Sequence, residues 1–348
     1  MNDMPDRDQW ACFDPALRML TWIEGLPQQM KTAAEEWPNP RLSSTAQGPV
    51  VAAAMGGSAM AAEVALGMVT ARTPALVIRT DTLPHWVDSR WLCIACSYSG
   101  NTRETLACYD DSFARGCVAA SVSAGGVLAE RAASRKALHR TLLAGQPPRT
   151  AVGQAVVGIL WTLWAHRLID DPREVVVATA DGLQRQWGLT LGKPEPWETL
   201  PGQIAAACHT GYLLVVAAGP TMPAALRWSQ QLNENAKVPC YPLEIPEMLH
   251  NHVEGLEASA RLGACLVVLR DTSHSYAESA AMDFISATFQ AFGGRVFEVS
   301  STGESEFHRI FSLMYMGDQV SYLASLLRST DPTPVERIAE LKRVIASP

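Results

Sequence analysis

The sequence has few charged residues and no concentrated block of positive charge. Asp, Glu, Lys and Arg make up 18% of the 348 residues, and the formal net charge is −7. An apolar content of 48% together with this low charge argues against a disordered chain. Because no long Lys/Arg run occurs, nucleic acid is not an expected partner. A phosphorylated ligand would therefore have to bind at a local site and not on a basic surface.

Long apolar runs and paired metal-binding motifs are also missing. No apolar run reaches about 18 residues, the length that predicts a membrane-spanning helix. The first residues, MNDMPDRDQW, are too acidic and polar for a signal peptide. Among eight cysteines, Cys93 and Cys96 form a CxxC pair, but no second pair stands at zinc-site spacing. We therefore expect a cytoplasmic protein that binds neither a metal ion nor a redox cofactor.

The sequence does contain a series of short apolar runs that alternate with helical patterns. The runs that predict strands are Val50–Met55, Ala75–Thr80, Trp91–Cys96, Cys117–Ser121, His139–Leu143, Tyr212–Ala218, Cys265–Leu269 and Arg295–Val299. Strands that alternate with helices at this pace predict parallel sheets with helices on both faces. The length is sufficient for two domains. We therefore predict two copies of one α/β layout.

Two of the predicted strands are followed by turns that suit a phosphate group. Gly56-Gly57-Ser58 follows the first, and Ser97–Thr102 (SYSGNT) follows the third and precedes a predicted helix. Backbone N–H groups at a helix N-terminus bind anions, and hydroxyls add further donors. An ordinary capped turn is the alternative, because Ser, Thr and Asn are preferred N-caps. The carboxyl ends of parallel strands share one edge, which favours a ligand site there.

Two candidate functional segments lie in the second half of the chain. Glu234 falls at the end of the predicted helix Ala224–Ala236, where the helix dipole disfavours a negative charge. That cost indicates either a functional carboxylate or a solvated one beside Lys237. His250 and His252 stand two apart and could share a face for metal binding on a strand. We predict a helix for this segment, which makes a metal site less favourable.

Seven motifs occur in an order that resembles the bifunctional phosphoglucose/phosphomannose isomerases, which consist of two sugar isomerase (SIS) domains. They are MGGSAM (55–60), SYSGNTRET (97–105), SAGG (123–126), QPPR (146–149), NENAK (233–237), PEMLHNHVEG (246–255) and DPTPVERIAELK (331–342). The resemblance implies two tandem SIS-type domains, each a doubly wound, flavodoxin-like parallel sheet. We place them at 46–169 and 201–348, after an N-terminal helical segment (1–45) and on either side of a connection (170–200).

The resemblance also implies roles for individual residues. Those that match the family's phosphate site are Gly57, Ser58, Ser97, Ser99 and Thr102. Four others match catalytic residues. Arg149 matches the arginine that stabilises the enediolate, and Glu234 matches the base that moves a proton between C1 and C2. His250 matches the histidine that the partner subunit donates for ring opening, and Lys342 matches the lysine that joins it.

The implied reaction is the interconversion of glucose 6-phosphate and/or mannose 6-phosphate with fructose 6-phosphate. It proceeds by proton transfer through a cis-enediol(ate), in a homodimer, without cofactor. One alternative is a SIS regulator that binds a sugar phosphate without catalysis, although such a protein would need only the phosphate site. Another is an isomerase of a different sugar phosphate. The sequence departs from the family at Ala54, where Gly is often found, and at His252, where Glu is common. The His252 change lies close to the matched histidine, so it leaves the substrate preference open and not the reaction type.

Overall fold

The computed structural model describes residues 14–40, 46, 48–69 and 72–346. The chain divides into two compact units. The N-terminal unit comprises Gly25–Arg185 and Thr302–Phe311. The C-terminal unit comprises the chain up to Glu24, Gln186–Ser301 and the chain from Ser312 onward. Within the described ranges, no helix combines the length and the apolar character that crossing a membrane requires.

Nine strands and thirteen α-helices make up the regular structure of the described residues. The strands are β1 (Val50–Ala54), β2 (Ala75–Ile78), β3 (Leu92–Cys96), β4 (Val118–Ser123), β5 (Leu138–Thr141), β6 (Tyr212–Ala218), β7 (Cys240–Ile245), β8 (Ala264–Arg270) and β9 (Arg295–Ser300). The helices are α1 (Asp14–Glu24), α2 (Leu26–Glu35), α3 (Gly56–Gly67), α4 (Arg103–Ala114), α5 (Gly126–Ser134), α6 (Val152–Ala165), α7 (Arg173–Leu189), α8 (Leu200–Cys208), α9 (Met222–Gln231), α10 (Leu256–Arg261), α11 (Tyr276–Ala291), α12 (Glu306–Leu327) and α13 (Glu336–Ala346).

The N-terminal unit contains a five-stranded parallel sheet with the order β2-β1-β3-β4-β5. Every residue of β1 and of β3 is buried. Strands covered on both faces read as continuous apolar runs, which is why the sequence predicts them well. The strand order reverses at β1, as in flavodoxin-like folds. The predicted fold class is thus confirmed for this unit.

Helix α6 lies in the core of the N-terminal unit, with thirteen of its fourteen residues buried. It packs closely on α2, since a Cβ atom at Gly153 would lie 2.8 Å from Cδ1 of Leu26. The helix ends at Ala165, and Arg167, two residues further on, adopts a left-handed φ of +61°. Of the predicted N-terminal helical segment, α1 and α2 are observed, while residues 1–13 and 41–45 lie outside the described residues.

The C-terminal unit contains a four-stranded parallel sheet with the order β7-β6-β8-β9. Its core includes Leu266 and Val268 of β8 packed with Met282, Ile285 and Phe289 of α11. Burying each such side chain stabilises the fold by about 1.5–3 kcal/mol. A second parallel sheet of the same kind confirms the prediction that the α/β layout occurs twice.

Strand β7, which lies at the edge of the second sheet, is not among the strands that the sequence predicts. Pro242 stands in its middle, in register with Val215 of β6. Proline is tolerated there because an edge strand leaves one side of its backbone unpaired. Tyr241 and Glu244 are exposed, so the strand lacks the continuous apolar run of its neighbours.

Candidate active site

The carboxyl edge of the first sheet brings the two predicted phosphate-binding turns side by side. Strands β1 and β3 are parallel neighbours, with Ala54 opposite Cys96 at their last paired position. Gly57 and Ser58 follow β1 in the first turn of α3, and Ser97–Thr102 follows β3 and leads into α4. Two helix N-termini therefore lie at this edge, and neither has a capping hydrogen bond from the side chain at its N-cap position.

The turn after β3 presents hydroxyl groups next to an uncapped helix. Ser97 is almost fully buried, and its Oγ lies 2.8 Å from Oγ1 of Thr102. Thr102 is the N-cap residue of α4, but its side chain forms this hydroxyl pair instead of capping the helix. Ser99 is exposed, and its Oγ accepts a hydrogen bond from the Asn101 backbone N–H at 3.2 Å. Hydroxyl donors and first-turn N–H groups together suit an anion.

The turn after β3 rests directly on the SAGG turn that precedes α5. Gly100 adopts φ +68°, and a Cβ atom there would lie 1.8 Å from the carbonyl oxygen of Gly125. In the other direction, a Cβ atom at Gly126 would lie 2.4 Å from the carbonyl oxygen of Ser99. Asn101 Oδ1 accepts a hydrogen bond from the Val127 N–H at 3.1 Å. The SAGG motif therefore holds the shape of the turn, a role that its sequence did not reveal.

Ser58 lies next to the end of β3. Burial raises the pKa of the Cys96 thiol to about 12, and a hydrogen bond with the Ser58 side chain partly offsets that increase. Gly56 begins this turn with φ +52°. At Gly57, a Cβ atom would lie 3.7 Å from the Cα of Arg149. The turn after β1 is thus in contact with both the end of β3 and the Arg149 segment.

Arg149 lies in a short 3₁₀ turn, Pro148–Thr150, just before α6, and only 4% of it is exposed. The loop leading to it is tied to the β3 turn by Tyr98. The Tyr98 hydroxyl donates to the Leu143 carbonyl at 3.0 Å and accepts from the Gln146 N–H at 3.2 Å. Tyr98 is a residue of the site that the sequence analysis missed. It belongs to the SYSGNT motif, but its partners lie 45 and 48 positions away.

In the C-terminal unit, Glu234 lies in a π-helical turn, Leu232–Ala236, that continues α9. The sequence predicts an ordinary helix through Ala236, and the structure corrects this for its last five residues. Single π-turns are rare and occur frequently at functional sites. The Glu234 side chain is partly exposed, whereas the neighbouring Asn235 is buried. Lys237 ends the turn in a left-handed conformation with φ +55°.

His250 is exposed on the loop that follows β7. The predicted helix is wrong here: two short 3₁₀ turns, Glu247–His250 and His252–Gly255, are separated by Asn251 with φ −152°. Asn251 connects the two turns. Its Oδ1 accepts from the His252 backbone N–H at 2.5 Å and lies 2.7 Å from His252 Nδ1, while its Nδ2 donates to Glu247 Oε1 at 3.1 Å.

Lys342 is exposed on α13, the last helix of the C-terminal unit. The nine predicted site residues thus divide between the units: the phosphate-site residues and Arg149 belong to the N-terminal unit, and Glu234, His250 and Lys342 to the C-terminal unit. In the described part of the chain, no cluster of three or more His, Cys, Asp or Glu residues could hold a metal ion.

Comparisons with known proteins agree with this architecture. Residues 198–345 match the family described as the bacterial phospho-glucose isomerase C-terminal SIS domain. A bifunctional phosphoglucose/phosphomannose isomerase of Caldicellulosiruptor bescii is 32% identical over 340 residues, 94% of this chain and 99% of that protein. Another, from Thermoplasma acidophilum, is 29% identical over 299 residues, 85% of this chain and 89% of its own length.

A solved structure supports the fold independently. The C-terminal domain of glucosamine-fructose-6-phosphate aminotransferase from Francisella tularensis matches with a TM-score of 0.69 at 15% sequence identity. The match covers 91% of this chain and 98% of that one. At this identity the likeness concerns the fold alone.

Proposed function

Because the chain belongs to the family of the bifunctional phosphoglucose/phosphomannose isomerases, we propose that it interconverts glucose 6-phosphate and mannose 6-phosphate with fructose 6-phosphate. One observation carries the proposal: 32% identity to a relative over 99% of that relative's length. The residues of both the phosphate site and the catalytic set are present, which distinguishes this chain from a regulator that would need only the phosphate site.

The phosphate group binds at the carboxyl edge of the first sheet. Ser97, Ser99 and Thr102 supply hydroxyl donors, and the first turns of α3 and α4 supply backbone N–H groups. Hydrogen bonds to a charged phosphate are about twice as strong as neutral ones. Because this group is remote from the reacting carbons, its binding energy holds C1 and C2 in register with the catalytic side chains.

The chemistry is a proton transfer within the sugar. Glu234 removes the proton from C2 of the aldose and returns it to C1, while the proton of the C2 hydroxyl passes to O1, so that C2 becomes the carbonyl carbon and C1 is reduced. The Arg149 guanidinium stabilises the negative charge that develops on the enediolate oxygens between these steps. Before isomerisation, His250 and Lys342 assist the proton movements that open the ring. The oxidation at one carbon balances the reduction at the other, so the reaction consumes no external oxidant or reductant.

We extend the proposal to a homodimer in which each subunit donates His250 to its partner's site. The exposure of His250 on the loop after β7 supports this arrangement. We also propose that residues 46–169 and 201–348 are the two SIS domains. The cytoplasmic location stays a prediction.

The proposed function is tested with a coupled assay over a panel of sugar phosphates. We expect turnover of glucose 6-phosphate, mannose 6-phosphate and fructose 6-phosphate, and none of the unphosphorylated sugars. Tight binding of a hexose 6-phosphate without turnover would identify a regulator instead. Turnover restricted to an amino-sugar or heptose phosphate would identify an isomerase of another substrate.

The shared site is tested by co-expressing two inactive variants, Glu234→Gln and His250→Ala. In a mixed dimer, one of the two sites receives both an intact Glu234 and an intact His250. With random pairing, about a quarter of the wild-type activity should return. A mixture as inactive as the separate variants would show that each site uses its own His250.

A further inference from the structure

Lys237 occupies a backbone conformation that a glycine would adopt more readily. It follows the π-turn with φ +55° and ψ +34°, in the left-handed region. Helices commonly end in this conformation, but usually with glycine, because a Cβ atom is disfavoured there. A lysine at this position therefore carries a conformational cost that glycine would avoid, and the contacts of its side chain decide whether that cost is offset.

The Lys237 ammonium group contacts two backbone carbonyls. Nζ donates to the carbonyl oxygen of Glu234 at 2.5 Å and to that of Pro334 at 2.8 Å. The first carbonyl belongs to the proposed base itself. The second lies just before α13, which begins at Glu336 and carries Lys342. An exposed lysine is thus bonded to the π-turn that holds Glu234 and to the segment just before the helix that holds Lys342.

The inner face of the π-turn is anchored by other residues. Arg227 of α9 forms a buried, bidentate ion pair with Asp318 of α12, with both N–O distances at 2.8 Å. Two helical turns further along, Asn235 Nδ2 donates to Ser321 Oγ at 3.0 Å. These contacts hold the turn against α12 without help from Lys237. The two bonds of Lys237 therefore act on the outer face, where Glu234 is partly exposed.

We propose that Lys237 is a positioning residue for the isomerase site, one that sets the placement of Glu234 relative to the start of the helix that bears Lys342. This inference rests on the proposed function. Lys237 acts through backbone atoms of its neighbours and has no contact with the substrate in this scheme. Proton transfer is sensitive to misplacement of the base, whereas phosphate binding depends on the N-terminal unit. The loss of Lys237 should therefore change kcat and not KM.

The test compares Lys237→Gly with Lys136→Gly. Lys136 is a matched control, because it is also exposed, also follows a helix, and has nearly the same backbone angle, φ +53°. Either glycine should relieve the left-handed strain, so neither variant should have a lower Tm than the wild type. We expect Lys237→Gly to lower kcat roughly tenfold with KM within about twofold, and Lys136→Gly to leave both unchanged.

Two further measurements separate positioning from a merely structural role. Lys237→Arg, which keeps the charge and the donors, should retain more activity than Lys237→Met. In a Cys12→Ser background, aminoethylation of Lys237→Cys with bromoethylamine should restore most of kcat. The other seven cysteines are buried, so the added thiol is the one that reacts.

The outcomes are distinguishable. Wild-type kcat for Lys237→Gly in an active enzyme overturns the inference and leaves the proposed function intact. A fall in Tm, with loss of kcat and KM together and no recovery on aminoethylation, also overturns it. A wild-type protein that turns over no hexose 6-phosphate overturns both. Faster amide hydrogen exchange over 232–238 and 334–338 in Lys237→Gly than in Lys136→Gly supports the inference directly.

Discussion

The two sheets share a layout, but the turns at their carboxyl edges differ in the polar groups that they carry. In the N-terminal unit, the turn after β3 carries hydroxyls and no carboxylate, and the next helix is not capped by its own side chain. In the C-terminal unit, the corresponding turn after β8 begins with Asp271. Ser273 and Ser301 donate to the Asp271 carboxylate, at 2.5 and 2.6 Å. At the first edge the hydroxyls have no carboxylate beside them in the turn. At the second edge the Ser273 and Ser301 hydroxyls are hydrogen-bonded to the Asp271 carboxylate.

The helix that follows each turn shows the same contrast. Ser275 caps α11 and exchanges hydrogen bonds with Glu278, in a reciprocal arrangement that satisfies first-turn N–H groups. Hydrogen bonds from Ser275 hold the pKa of the Glu278 carboxyl below its usual range. A carboxylate therefore already lies at the start of the helix that follows β8. The duplicated layout thus predicts one phosphate site and not two.

The turns after the first strand of each sheet differ in the same direction. Gly57 and Ser58 follow β1, and each has a backbone N–H at the start of α3. Pro220 and Thr221 follow β6. Proline has no N–H to donate, and the Thr221 hydroxyl bonds to the Ala218 carbonyl at 2.8 Å. The C-terminal unit carries instead a π-turn, the loop after β7 and helix α13, which bear the proposed catalytic groups.

The largest expected effect is on kcat and comes from replacing Glu234, the proposed base in the C-terminal unit. Glu234→Gln keeps the shape of the side chain and removes the base, which should lower kcat by about 10²–10⁴-fold, or about 3–5 kcal/mol. KM should change little, because the residues of the proposed phosphate site belong to the other unit. Washout of isotope from C2 into solvent should fall in parallel. Near wild-type kcat with undiminished washout would remove Glu234 from the mechanism. Glu244→Gln is the control variant, because Glu244 is an exposed carboxylate on β7.

The next largest expected effect is a loss of folding stability at low pH, caused by His166 in the N-terminal unit. Burial lowers the pKa of His166 to about 4, and its Nδ1 accepts a hydrogen bond from the Ala46 N–H at 3.2 Å. Below about pH 6.5, the unfolded chain therefore binds a proton at His166, whereas the folded protein keeps this side chain neutral down to about pH 4. Stability should fall as the pH drops from about 6.5 to 4, by up to about 3 kcal/mol. The denaturant midpoint of His166→Asn should decline less over this range than that of the wild type, and equal slopes would contradict the assignment.

Single substitutions in the β3 turn should weaken substrate binding. Ser99→Ala or Thr102→Ala would remove a proposed hydrogen bond to the phosphate, and such a bond is worth about 1.5–3 kcal/mol when the acceptor is charged. We expect KM for each hexose 6-phosphate to rise by about tenfold or more, with kcat largely kept. Steady-state kinetics of each variant give both quantities. An unchanged KM in the double variant would place the phosphate elsewhere.

The smallest effect is expected at Ser275, which precedes α11 in the C-terminal unit as Thr102 precedes α4 in the N-terminal unit. Ser275→Ala removes the cap of α11 and should lower the free energy of unfolding by about 1 kcal/mol. Because this edge carries its own carboxylates, KM should stay at the wild-type value. Urea denaturation and the coupled assay measure the two quantities. A rise in KM like that of Ser99→Ala would mean that both edges bind phosphate and that the contrast between them is wrong.

The sequence by itself determined most of the sheet architecture. Strands such as β3 and β6 are buried on both faces or nearly so, and their apolar runs are recognisable without tertiary information. The turn residues after β1 and β3 were also visible, because glycine and hydroxyl residues at strand ends restrict the possible structures. The family resemblance then assigned roles that periodicity alone did not supply.

Tertiary structure alone decided the details that hold the site in place. Strand β7 exists because its neighbour β6 offers a partner, despite Pro242 and two exposed side chains. The Lys237 ammonium group donates a hydrogen bond to the Pro334 carbonyl, 97 positions away along the chain, and no local sequence pattern encodes such a contact. The π-turn also makes a polar contact with α12, from Asn235 Nδ2 to Ser321 Oγ. Local propensity selects helices and strands, whereas the placement of a catalytic side chain depends on which distant groups satisfy its backbone.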